Sequence, residues 1–167
     1  MYLPLGTFSP EVKIGIVSAS RSCFPRELSQ KRTAELLKAC KAKSIKLIMP
    51  QGDCAILETK AHAAEAAAQL KAAGCDAAVL YLGNFSPEIE DAAFARAFDG
   101  PILIMAAAEE NKARLRGDRG DALCGLLSAA MAIEKRGISG RVHIPASPVV
   151  DIKSGAAEIE KFIKIVS

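Results

Sequence analysis

GCDAAVLYLGNFSPEIEDAAFARAFDGPILIMAA, residues 74–107, decides the fold. Two apolar runs, DAAVLYL (Asp76 to Leu82) and PILIMAA (Pro101 to Ala107), bracket a stretch whose apolar residues recur at helical spacing. The interval is too long for a hairpin and suits a crossover helix, so the two strands should lie parallel. Near-continuous apolar strands are expected where a sheet is covered on both faces. The helix between them opens on Ser86-Pro87-Glu88: an N-cap hydroxyl, a proline at the first position and an acid beside the positive helix end. Its expected apolar face is Ile89, Ala93, Phe94 and Ala97.

The pattern repeats outward. VKIGIVS (Val12 to Ser18), SIKLIM (Ser44 to Met49) and RVHIP (Arg141 to Pro145) are three further strands, each separated from the next by a helix-patterned interval. After SASRSCFP comes a helix with Pro25 in its first turn and Leu28, Leu36, Leu37 and Cys40 as its stripe. The turn cluster PQGDC precedes TKAHAAEAAAQLKAAG, an Ala-rich helix with a glycine just past its end. Helix four carries Leu123, Leu126, Leu127, Ala130 and Met131; a last helix begins near Ser154 and presents Ile159, Phe162, Ile163 and Val166. Right-handed crossovers then give a flavodoxin-like α/β three-layer sandwich with a five-stranded parallel sheet of order 2-1-3-4-5. Residues 1–167 are expected to form a single α/β domain. A ligand belongs at the carboxyl ends of the strands, where the SASRSC and GNFS loops face each other beside the Glu109 to Arg119 loop.

Charged residues make up 25% of the chain and hydrophobic ones 50%, which excludes wholesale disorder. The net charge of +3 is dispersed, with no nucleic-acid arm or membrane-binding basic run. No apolar stretch approaches the roughly 20 residues of a bilayer span, and MYLPLGTFSPEV does not read as a signal peptide. A cytoplasmic protein without nucleic-acid or membrane partners is expected. The five cysteines have no CxxC spacing. Cys40 and Cys124 should fall on buried helix faces, and Cys75 precedes a strand. Cys23 and Cys54 lie in loops just past strands, where a reactive thiol and an inert cysteine are both open readings.

Candidate ligand contacts gather at the strand ends. Arg21 offers a rigid donor fork, Ser18, Ser20 and Ser22 hydroxyls, Asn84 an amide, and Phe85 an aromatic face for the apolar side of a sugar ring. A solvated Arg21, with Asn84 and Phe85 as turn residue and helix staple, is the structural alternative. SASRSCFP has no glycine, so it is neither a Walker loop nor a dinucleotide fingerprint. The scarcity of aromatics weakens a flavin site, and an arginine replaces the acidic residues a receiver domain needs after strand one. His62 and His143 read as satisfied structural histidines. Glu109, Glu110 and Asp118 share a loop without a histidine and read as solvated rather than as a metal cage. No catalytic residue and no metal ligand is legible.

KIGIVSASRSCFPRELSQKRTAELLKA, GCDAAVLYLGNFSPEIEDAAFARAFDGPILIMAAAEE and RGDALCGLLSAAMAIEKRGI together resemble the amino-terminal domain of L-fucose isomerase-like proteins, relatives of the L-fucose and L-arabinose isomerases. The resemblance runs from about Lys13 onward. It implies an aldose–ketose isomerase built from several α/β domains around a manganese-type metal, with metal ligands and acid/base carboxylates on later domains. The first domain then lends substrate contacts, often to a neighbouring subunit, at positions matching Arg21, Asn84 and Phe85, with Glu109 a weaker match; Ser22 joins them as a substrate-binding candidate by its hydroxyl. No cofactor is expected on this chain, Mn2+ is expected for a full-length parent, and the chain alone should not catalyse. Its ligand would be a small sugar, and apolar surface left by a missing neighbour favours a homo-oligomer. The alternative is a stand-alone flavodoxin-like module for a small polar ligand. Ile159, Phe162, Ile163 and Val166 of the last helix are expected to pack on the sheet, yet the helix is still amphipathic at its end, and an exposed stripe that wants a following domain favours the enzyme part.

Overall fold

Where the apolar runs are unbroken, full strands form: β1 (Ile14–Ala19), β4 (Ala77–Leu82) and β5 (Ile102–Ala107) are buried along their whole length. The computed structural model describes residues 11–110 and 119–167. The short strands β2 (Leu47–Ile48) and β3 (Ile56–Leu57) both pair with β1, and β6 (Val142–His143) and β7 (Val149–Val150) both pair with β5. All these pairings are parallel. The sheet therefore has five lateral positions in the expected flavodoxin-like order, but each edge position is filled by two fragments. Sequence reading missed β3 and β7 and drew the second strand too long. Pro50 follows β2, and Pro145 and Pro148 separate β6 from β7. A proline cannot donate to a ladder, and sheet edges are where such interruptions are tolerated.

Helices α1 (Arg26–Ala42) and α5 (Ile152–Val166) pack together as one layer, while α2 (Lys60–Ala72), α3 (Glu88–Phe98) and α4 (Ala122–Glu134) pack side by side as the other. The expected faces of α3 and α4 are rotated. On α3 the buried residues are Asp91, Ala92, Phe94, Ala95 and Phe98, with Phe94 and Phe98 stacked, while Ile89 is 44% exposed. On α4 the buried arc is Ala122, Gly125, Leu126, Ala129, Ala132 and Ile133. Leu123, Leu127 and Met131 point outward at 49%, 60% and 59% exposure, and Cys124 is exposed with them. Gly125 sets this rotation, because a Cβ there would lie 2.6 Å from the Ser86 nitrogen. Only glycine lets α4 approach so closely, and larger residues are turned away from the contact.

Other expectations also change. The Ser86 hydroxyl does not cap α3 but donates to the buried Asp91 carboxyl. Helix α5 starts at Ile152, with Asp151 Oδ1 accepting from the Ser154 N–H at 2.7 Å. Its stripe is not left open: Ile159 and Phe162 are buried, and Ile163 and Val166 pack against the core. The two histidines are not satisfied core groups either. His62 Nδ1 is buried without a partner among the described residues, and His143 is exposed and stacks on Phe162. The lead-in around Phe8, and the Glu109 to Arg119 loop except Glu109, Glu110 and Arg119, lie outside the described residues. Among the described residues no helix is long and apolar enough to cross a membrane.

Candidate functional site

At the carboxyl edge, the loops after β1, β4 and β5 meet because each strand delivers its following loop to the same side of a parallel sheet. Asn84 is their hub and is fully buried. Its Oδ1 accepts from the Arg21 N–H at 3.0 Å; its Nδ2 donates to Ser20 Oγ at 2.9 Å and to the Pro25 carbonyl at 3.1 Å. The amide thus joins the β4 loop to the β1 loop with its own donors and acceptor engaged. Phe85 is half-buried, its ring stacked on Phe24 at 5.7 Å, with the Arg21 guanidinium 4.6 Å from its centroid. Arg21 also pairs with Glu88 in the first turn of α3, each side chain about a third exposed. Ser22 is exposed beside them.

Glu109 belongs to a second cluster that sequence reading missed. Its centre is Arg32 on α1, whose side chain is 1% exposed. The guanidinium donates to the Gly83 carbonyl at 2.6 Å, to Glu109 at 2.9 Å and to both Glu110 oxygens at 2.9 and 2.5 Å. Burial opposes the charge on Arg32, but its hydrogen bonds to the Glu110 and Glu109 carboxylates, with their negative charges, outweigh it and raise its pKa. The same hydrogen bonding lowers that of Glu110. Glu109 accepts from the Gly120 N–H at 3.1 and 3.2 Å, and the Gly120 carbonyl accepts from the Phe85 N–H. The β5 loop is thereby tied to the β4 loop. A signal existed: Arg32 falls in phase with Leu28 and Leu36, so a charged residue sat on the predicted apolar stripe.

Between the Arg32 cluster and α5 lies a cavity of about 120 Å³ lined by Arg32, Tyr81, Glu109, Glu110 and Asp151, among others. Arg21, Asn84 and Phe85 do not line it. Below Ser86, burial pushes the Asp91 carboxyl up to about 8, opposed by the Ser86 hydrogen bond and Arg21 and reinforced by Glu90 and Glu88. A fully buried acid cannot reach a ligand, so Asp91 is structural. Burial likewise raises the Cys54 thiol, which donates to the Gln51 carbonyl at 3.1 Å; this opposes the reactive reading for that residue. Cys23 is exposed.

Among the described residues the donor set at this edge does not fit a divalent metal. Glu109 and Glu110 already hold a guanidinium, and no three His, Cys, Asp or Glu residues among those described gather closely enough to bind an ion.

The carboxyl-edge loops of this flavodoxin-like domain are thus clamped to one another, with Arg21, Arg26, Arg32 and Arg119 each paired to a carboxylate. The chain belongs to the fucose/sulfoquinovose isomerase amino-terminal domain family, whose model matches residues 15–167. It is thus a domain of the sugar isomerase type. No curated protein matches the chain.

Proposed function

We propose that this domain recognises substrate for a metal-dependent aldose–ketose isomerase of the L-fucose/L-arabinose type, whose Mn2+ is held by residues outside this domain. The family match across residues 15–167 carries the reading. The geometry supports it: Arg21 and Glu88 set a donor beside an acceptor at the rim, each partly exposed. Such a pair suits neighbouring sugar hydroxyls, which accept from the guanidinium and donate to the carboxylate. Ser22 adds a hydroxyl, Phe85 an aromatic edge and Glu109 a carboxylate at the far side. Asn84 acts as a positioning residue that fixes the Arg21 backbone.

The contact set is partial. The cavity beside Glu109, about 120 Å³, falls well below the roughly 300 Å³ at which ligand pockets begin, and Arg21, Ser22 and Phe85 stand outside it on the open rim. The domain therefore binds weakly alone, contributes its contacts within a cytoplasmic homo-oligomer, and turns over no sugar by itself. Chemical-shift titration with L-fucose and L-arabinose tests this. Saturable shifts at Arg21, Ser22 and Phe85 are expected, with Kd on the order of millimolar, or about 4 kcal/mol. Arg21→Ala should weaken binding several-fold. Shifts confined to the amino edge, or unchanged affinity in Arg21→Ala, would refute the placement, and ketose formation by the domain with manganese would refute the division of labour.

A further inference from the structure

Among the described arginines, Arg21, Arg26, Arg32, Arg119 and Arg141 each face a carboxylate. Arg96 and Arg136 have none among the described residues. These two exposed arginines line the same concavity of about 410 Å³, with Arg141, Gly137, Ile138 and Gly140. It lies where α3 and α4 end and the chain turns into β6, at the amino edge of the sheet and away from the sugar platform.

Helix-end carbonyls orient the guanidinium groups. Arg136 donates to the Ala132 carbonyl at 2.9 Å and Arg96 to the Arg136 carbonyl at 3.4 Å. Arg141 donates to the Ala95 carbonyl at 3.0 Å and pairs with Asp99. Carbonyl acceptors position these groups without cancelling their charge, and each guanidinium keeps further donors. Arginines at helix C-termini ordinarily offset the helix dipole, each worth about 0.3–1 kcal/mol. That role alone does not require two of them to converge on one concavity where, among the described residues, Asp99 is the only carboxylate paired.

We propose that this concavity is a second binding site, for a tetrahedral oxyanion such as a phosphate group, free or carried by a small organic ester. Arg96 and Arg136 would clamp the oxygens through charge-assisted hydrogen bonds, for which the guanidinium fork is suited. Arg141, already paired, would form the wall.

NMR titration with inorganic phosphate, against chloride at equal ionic strength, tests the site. Saturable shifts are expected at the Gly137 and Gly140 amides, and Arg96→Gln/Arg136→Gln should weaken binding at least tenfold. Both side chains are exposed, so the fold should persist; if the double variant does not fold, Arg96→Gln alone should lose at least threefold. Glucose 6-phosphate beside glucose separates the sources: tighter binding of the ester than of phosphate assigns the organic ligand, and equal or weaker binding assigns the free ion. Absence of saturable shifts at those amides, unchanged affinity in the variants, or binding of heparin without a response to phosphate would overturn the proposal.

Discussion

At the carboxyl edge Arg21 meets Glu88, Arg26 meets Glu58, Arg32 meets Glu109 and Glu110, and Arg119 meets Asp121. Even the buried Asp91 beneath Ser86 sheds its charge by staying protonated. At the amino edge Arg96 and Arg136 have no such answer among the described residues. Among the described residues one end of the sheet thus offers paired charges, the setting proposed for a neutral polyol. The other offers two guanidinium groups without a paired carboxylate, the setting proposed for an anion. Fold rules alone would direct attention only to the first end.

The largest expected effect tests whether the carboxyl edge really suppresses unanswered charge. The folded pKa of Asp91 is raised to about 8, above the 3.8 of an ordinary aspartate, so the folded chain keeps a proton that the unfolded chain releases. Its contribution is therefore fully present below about pH 4 and falls away as pH rises towards 8. Asp91→Asn mimics the protonated acid and still accepts from Ser86. It should match the parent near pH 4 and exceed it at pH 8 by about 5 kcal/mol. Urea unfolding across pH decides it; parallel pH curves for the two proteins would show that Asp91 is charged in the fold.

Next in size is the contrast between arginines at the two ends. Arg32→Gln should cost about 3 kcal/mol, because it strips Glu109, Glu110 and the Gly83 carbonyl of their shared donor. Arg96→Gln should change stability by no more than about 0.5 kcal/mol. Equal losses in thermal or urea melts would erase the distinction between a structural cation and a free one. The smallest effect concerns the clamp. Asn84→Ala removes three hydrogen bonds and should cost about 2 kcal/mol. It should also weaken sugar binding through displacement of Arg21, while leaving phosphate binding at the other edge unchanged. A loss of both binding activities would mean that the two sites are not independent.

The architecture was largely legible. The apolar continuity of DAAVLYL and PILIMAA identifies central strands because every position of such a strand is buried, whatever its neighbours. Edge strands are weaker signals: Ile56–Leu57 and Val149–Val150 are two residues each, too short to show a period. The faces of α3 and α4 were misread because both helices carry apolar residues on more than one side. The backbone approach at Gly125, rather than residue size, selected the buried side. The candidate site was legible as a location. Arg21, Asn84 and Phe85 do converge, but Asn84 is enclosed by the loops it joins, and Glu109 serves a cation on α1 instead of standing alone on the rim.

By itself the sequence determined the alternation of strand and helix, the parallel order that follows from right-handed crossovers, and the edge at which the loops after β1, β4 and β5 gather. These depend on local period and chain chirality, which each segment carries within itself. Only the tertiary structure decided which charges are paired. Arg32 meets carboxylates 77 and 78 residues away, whereas Arg96 and Arg136 meet carbonyls and each other's surroundings. Electrostatic pairing depends on distance in space across separate elements, and one-dimensional spacing does not encode it.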